Sequence, residues 1–95
     1  MPPSYKTRIT AKLTAALAPE MLEITDDSAR HAGHSGAQPG GETHFTVRIV
    51  SRHFAGLPRV ARHRQVYTIL ADELGERVHA LALTTLTPDE VVQKT

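Results

Sequence analysis

The sequence predicts an α+β fold. It should form one small domain whose elements run α-β-β-α-β-α, with a three-stranded mixed sheet carrying its helices on one face. Three observations predict this. Apolar residues recur at helical spacing in two long segments, one near the start of the chain and one from Leu57 to Leu74. Alternation with a period of two marks Thr43–Ser51 and Val78–Leu86 as strands. The second helical segment lies between those strands, so they should be parallel neighbours joined by a right-handed crossover. With 95 residues the chain can close one core and no second one.

Each element has its own warrant. Ser4 can cap a helix running to about Ala18, with Ile9, Leu13 and Leu17 on one face, and Pro19 ends it. Met21–Thr25 is short and bounded and puts Leu22 and Ile24 on one side, as a first strand would; if adjacent to the second strand, it pairs with it antiparallel. The stretch of about 26–42 is a Gly-rich loop, with Gly33, Gly36, Gly40, Gly41 and Pro39 opposing regular structure. In the second strand Phe45, Val47 and Ile49 face inward, while His44, Thr46 and Arg48 face outward. Arg52–Gly56 connects to a helix opened by Leu57-Pro58. Its apolar stripe is Val60, Tyr67, Leu70 and Leu74; Arg59, Arg62, Gln65, Asp72 and Glu73 fall outside it. Gly75 is expected to supply a left-handed stop. Leu81 and Leu83 then point inward along the third strand, and Thr87-Pro88-Asp89-Glu90 reads as a capping box that starts a short last helix.

Composition narrows the chemistry. The chain has no cysteine, which excludes disulfides and any site built from its own thiolates. No apolar run reaches the roughly 18 residues of a membrane span, and the N-terminus lacks the apolar core of a signal peptide. The cytoplasm, or an organelle matrix, is the expected compartment. Net charge is only +1, yet no acidic residue lies between Thr43 and Ala71, where Arg48, Arg52, Arg59, Arg62 and Arg64 cluster.

Histidines carry the candidate site. His31, His34 and His44 belong to the loop and its exit, and parallel pairing brings the start of the second strand beside His79 at the start of the third. His31, His34, His44 and His79 can therefore converge on one rim, and neutral imidazoles suit Zn, Fe, Cu and Ni. Singly, a loop histidine is ordinarily a solvated side chain, and His44 on an outward face is expected to be exposed. His79 has the parity of Leu81 and Leu83 and is expected to point toward the helix-covered face. His63, on the helical stripe, is expected to be packed and hydrogen-bonded. No nucleophile motif, phosphate loop or paired carboxylates are evident, so an enzyme is not expected.

The run GETHFTVRIVSRHFAGL, followed by RVARHRQVYTILADELGERVHALALTTLTPDE, resembles the BolA family from the first helix to Glu90. The His-Phe strand, Phe54 and Gly56 of the connector, Arg62-His63-Arg64, Val78–Leu81 and the Thr-Pro-Asp-Glu ending occur in order. The resemblance implies a class II KH-like fold. It also implies a partnership with a monothiol glutaredoxin, in which the two proteins share a [2Fe-2S] cluster whose thiolates come from the glutaredoxin and glutathione. No cofactor is then expected in the isolated chain. The resemblance assigns His79 as the strand ligand, and His31 as the loop ligand because it follows Asp26-Asp27-Ser28 by three positions. The loop is longer than in many members, so His34 is the alternative, and Val91 stands where the family often has Trp. The implied role is iron-sulfur cluster trafficking and iron homeostasis. The alternative is a DNA-binding transcriptional regulator, with Arg59, Arg62 and Arg64 on the second helix, and Arg48 and Arg52, as phosphate contacts.

Overall fold

The structure is a computed structural model and describes residues 3–28 and 41–93. Helix α1 (Tyr5–Leu17) starts where Ser4 Oγ accepts the Thr7 N–H at 3.1 Å. It stops at Ala18, which turns left-handed (φ 40) ahead of Pro19. Strands β1 (Met21–Asp26) and β2 (His44–Val50) pair antiparallel, and β2 pairs parallel with β3 (Ala80–Leu86), giving the order β1-β2-β3. Register fixes the faces. Leu22 and Ile24 sit opposite Ile49 and Val47, and Leu81 and Leu83 opposite Phe45 and Val47, so one face is apolar across all three strands. That face packs on Ile9, Leu13 and Leu17 of α1 and on Phe54 and Val66. Thr25, Thr46, Arg48, Ala82 and Thr84 occupy the other face and are exposed.

The crossover differs from its sequence reading. A short 3-10 turn (Arg52–Phe54) is followed by two helices, α2 (Arg59–Ile69) and α3 (Ala71–Glu76), in place of one helix to Leu74. Leu70 departs from helical dihedrals (φ −100, ψ 20), although Leu70 N–H still reaches Val66 O and Leu74 N–H reaches Leu70 O, both at 3.0 Å. Gly75 is not a left-handed stop. It lies inside α3, which runs to Glu76 and is capped at Arg77.

The phase of the crossover is also different. Val60 and Tyr67 are 57% and 41% exposed, and the buried positions are Arg62, Val66, Leu70 and Glu73. Two charged residues on the inner face hid that phase. Arg62 is buried because its Nε donates to Leu57 O at 2.8 Å and its Nη1 to Thr85 O at 3.0 Å and Glu90 Oε1 at 2.6 Å. The Thr85 contact also shields the outer edge of β3. Glu73 is buried because it accepts from Arg8 Nε at 3.0 Å and Lys12 Nζ at 2.9 Å, tying α1 to α3. Arg8 reaches Glu76 as well, and this bond, with the Tyr5 hydroxyl, holds the Glu76 carboxyl down to about 2.

Helix α4 (Pro88–Gln93) begins at the expected capping box, with Thr87 N–H donating to Glu90 Oε1 at 2.8 Å and Glu90 N–H to Thr87 Oγ1 at 3.3 Å.

Candidate functional site

Strands β2 and β3 start at the same end of the sheet, and this end forms a histidine rim. His44 is the first residue of β2. His79 immediately precedes β3, held there because its N–H donates to Thr43 O at 2.7 Å, with Ala80 N–H on the same carbonyl at 3.3 Å. The two imidazole centroids are 6.2 Å apart and tilted by 35°. The convergence expected of these two residues is therefore present.

Their environments are not those expected. His79 is exposed and does not point under the helices; Val78 takes the core position at 2% exposure. The backbone at Arg77 (φ −134, ψ −31) is not yet strand, so the inward-outward alternation of β3 does not extend back to His79. His44 is half-buried rather than exposed, with Nδ1 at 2.9 Å from Thr43 Oγ1. His31 and His34 lie outside the described residues.

A polar latch closes the base of the loop beside this rim. Asp26 Oδ1 accepts from Ser28 N–H at 2.9 Å, and Oδ2 from Glu42 N–H at 3.0 Å. Ser28 Oγ accepts from Thr43 N–H at 2.8 Å and His44 N–H at 3.2 Å, and Arg77 Nε donates to Gly41 O at 2.8 Å. Residues 28 and 41, between which the loop histidines are carried, are thus both fastened to the His44–His79 end of the sheet. Partial burial pushes the Asp26 carboxyl up, but bonds from the Ser28 side chain and from the Ser28 and Glu42 amides outweigh it, and the carboxyl lies below its usual range. Gly41 needs its glycine: its φ is +72, and a Cβ there would sit 3.3 Å from Asp26 Oδ2. Sequence reasoning did not assign positioning roles to Asp26, Ser28, Thr43 and Arg77. The available signal was the Asx and Ser turn chemistry of Asp26-Asp27-Ser28.

Imidazole nitrogen is a borderline ligand that suits iron or zinc, and of the two rim histidines His44 is half-buried and His79 exposed. A chain without cysteine offers no sulfur of its own. Among the described residues no group of three or more His, Cys, Asp or Glu is placed to hold a metal ion.

The family model described as BolA-like protein matches residues 13–90. The chain belongs to the BolA-like family. It is 50% identical over 80 residues to human BolA-like protein 1, a match covering 84% of this chain and 56% of the human protein. It is 48% identical over 88 residues to the SufE-like protein 1, chloroplastic/mitochondrial, of Arabidopsis thaliana, covering 88% of this chain and 24% of that protein. The chain thus spans about half, or less, of the length of these relatives. The solved BolA domain of SufE1 from Arabidopsis thaliana superposes with a TM-score of 0.84 at 46% identity, covering 95% of this chain and 99% of that one. BolA1 from the same plant gives 0.83 at 42% identity, covering 95% and 98%. The fold is the BolA fold.

The five candidate arginines of this BolA-like chain sit in different surroundings. Arg59 and Arg64 are exposed on α2, and Arg48 on the open face of the sheet. Arg52 pairs with Glu20 at 2.9 Å. Arg62, 6% exposed and committed to Leu57, Thr85 and Glu90, is unavailable to a phosphate. His63 is half-buried and faces the last residues of β3 across a small cavity shared with Arg59. Val91 lines an open cavity of about 380 Å³ together with Met21, Arg48, Val50 and Val92. Among the described residues no helix is long and apolar enough to cross a membrane.

Proposed function

We propose that this BolA-like chain partners a monothiol glutaredoxin and completes a [2Fe-2S] cluster whose sulfur ligands belong to the glutaredoxin and glutathione, in the service of iron-sulfur cluster trafficking and iron homeostasis. The observation that carries this reading is the exposed His79 on a rim shared with His44, in a chain that has imidazoles and no thiols. His79 would be one ligand, and His31, with His34 as the alternative, the second. When bound, the cluster supplies the iron and its redox chemistry.

The chain's own residues do the rest. Thr43 O holds the backbone of His79 at the rim, and the Asp26–Ser28–Thr43 latch keeps the ends of the loop beside it. Neutral imidazole in place of thiolate lowers the negative charge around iron and raises its potential. The role is that of a binding partner and not of an enzyme, in the cytoplasm or an organelle matrix where glutathione is present. Anaerobic mixing of the chain with glutaredoxin, glutathione and iron-sulfide, followed by gel filtration, tests the partnership. A heterocomplex carrying visible absorbance is expected, and two separately eluting proteins would contradict it.

Exposed Arg59 and Arg64 on α2 leave DNA binding as a second reading, weakened by the internal commitment of Arg62. Duplex affinity that falls steeply with salt would support it; flat titrations near physiological salt would remove it.

A further inference from the structure

An open sheet has two outer edges, and this molecule treats them differently. The pairing fixes which backbone groups face outward. Along β2, Thr43 O accepts from Ala80 N–H at 3.3 Å and Ser51 N–H donates to Leu86 O at 2.9 Å, so odd-numbered residues turn toward β3 and even-numbered ones toward β1. Opposite them, Asp27 N–H donates to His44 O at 2.8 Å, and the register then turns Met21, Glu23 and Thr25 toward β2 and Leu22 and Ile24 away from the sheet. Glu20 N–H, which also reaches Val50 O at 2.8 Å, marks a bulge at the entry of the strand and leaves this order intact. On β3 the outward groups belong to Leu81, Leu83 and Thr85, and α2 covers part of them. The Tyr67 hydroxyl lies 3.5 Å from Leu81 O, and Arg62 Nη1 lies 3.0 Å from Thr85 O. Nothing comparable guards β1. Among the described residues no hydrogen bond from outside the sheet reaches the N–H or C=O of Leu22 or Ile24. The strand also carries no proline or lysine to turn a partner away.

The side chains of this edge define what fits it. Leu22 and Ile24 pack against the core but are only half-buried, so an apolar surface continues past the last strand. Glu23 is exposed on the open face, opposite Arg48 in the ladder yet without an ion pair to it. Glu20, Glu23, Asp26 and Asp27 follow one another, and no Lys or Arg lies between Lys12 and Arg30. A second copy of β1 suits this edge badly. Of the antiparallel registers with most overlap, one sets Glu23 against Glu23 and the other sets Asp26 against Leu22.

We propose that the outer edge of β1 docks an extended basic segment of another protein, which adds beside it as a further strand, with apolar residues over Leu22 and Ile24 and a Lys or Arg next to Glu23. Main-chain bonds to Leu22 and Ile24 supply the affinity, and the alternation of apolar and cationic side chains sets the choice of partner. The proposal does not rest on the cluster-sharing role, since β2 lies between this edge and β3.

The test uses the full chain, ¹⁵N-labelled, with a short end-blocked peptide alternating valine and lysine, and with its valine–glutamate counterpart. In the chain alone, the amide hydrogens of Leu22 and Ile24 should exchange fast and those of Glu23 and Thr25 slowly. Slow exchange at Leu22 and Ile24 as well would mean that the edge is already covered, and overturns the proposal. The lysine peptide should shift the Leu22 and Ile24 amides saturably, slow their exchange, and bind several-fold more weakly at high salt. The glutamate peptide should leave them unmoved. Glu23→Lys should reverse that preference. Ile24→Pro, which removes an outward N–H and no bond within the sheet, should abolish binding of either peptide; where that variant does not fold, Glu23→Lys decides alone. An unshifted edge, shifts confined to other elements, equal binding of the two peptides, or a preference untouched by Glu23→Lys overturns the proposal. Shifts at Leu22 and Ile24 that grow with the concentration of the chain alone would make the occupant a second copy, and overturn it too.

Discussion

Arg62 shows how much a single side chain can decide. Its guanidinium joins the loop before α2, the edge of β3 and the first turn of α4, through Leu57 O, Thr85 O and Glu90. Removing it leaves a buried carbonyl and a capping carboxylate without their donor, a loss that is expensive where water cannot replace it. Arg62→Ala should cost about 2–4 kcal/mol in urea unfolding. Arg59→Ala, one turn earlier on an exposed site, should stay within about 0.5 kcal/mol. Equal effects of the two would contradict the internal role of Arg62. The residue was not legible as a core position because its partner Glu90 is 28 positions away, and a charged side chain counts as outward in any periodicity argument. Glu73, whose partner Lys12 is 61 positions away, misleads in the same manner.

At the scale of elements, the crossover is where pattern and structure part. Val60 and Leu70 both read as stripe residues, yet Val60 is 57% exposed and Leu70 fully buried. Leu70→Ala should therefore cost about 2–5 kcal/mol, and Val60→Ala less than about 0.5 kcal/mol, by chemical denaturation. Gly75 offers a sharper contrast. It sits within α3 with no atom within 4 Å of an added Cβ and without positive φ. Gly75→Ala should stabilise the protein by about 0.4–1 kcal/mol, through the unfolded chain and helix propensity together. A destabilised variant would restore the left-handed stop. The strands, by contrast, were legible. The alternation of Phe45, Val47 and Ile49 fixed their faces, and a helical connection long enough for a parallel crossover fixed the pairing that brings His44 beside His79. The Ser28–Thr43 latch was not, because it closes across 15 positions by side-chain to backbone bonds that leave no periodic trace.

Over the whole molecule, carboxylates join the helices to one another and set the response to acid. The Arg62 guanidinium, helped by the Thr87 amide, holds Glu90 down to about 2, and Arg8 does the same for Glu76; Asp26 is lowered as well. Groups lowered on folding contribute stability above their ordinary value of 4.5, and lose it as pH falls through the folded value. Thermal stability should therefore be level from neutrality to about pH 4.5 and decline toward pH 2. The decline should be shallower when Glu76 and Glu90 are both replaced by Gln, and an unchanged slope would show that these pairs do not govern it. The acid response belongs to the scaffold, whereas function rests on the rim that the scaffold presents. The most direct measurement there is visible circular dichroism of a glutaredoxin–glutathione [2Fe-2S] complex titrated anaerobically with this chain. The proposed function predicts a spectral change that saturates near one to one and disappears in His79→Ala. A wild-type titration that leaves the glutaredoxin spectrum unaltered, or a change that survives His79→Ala, would contradict it.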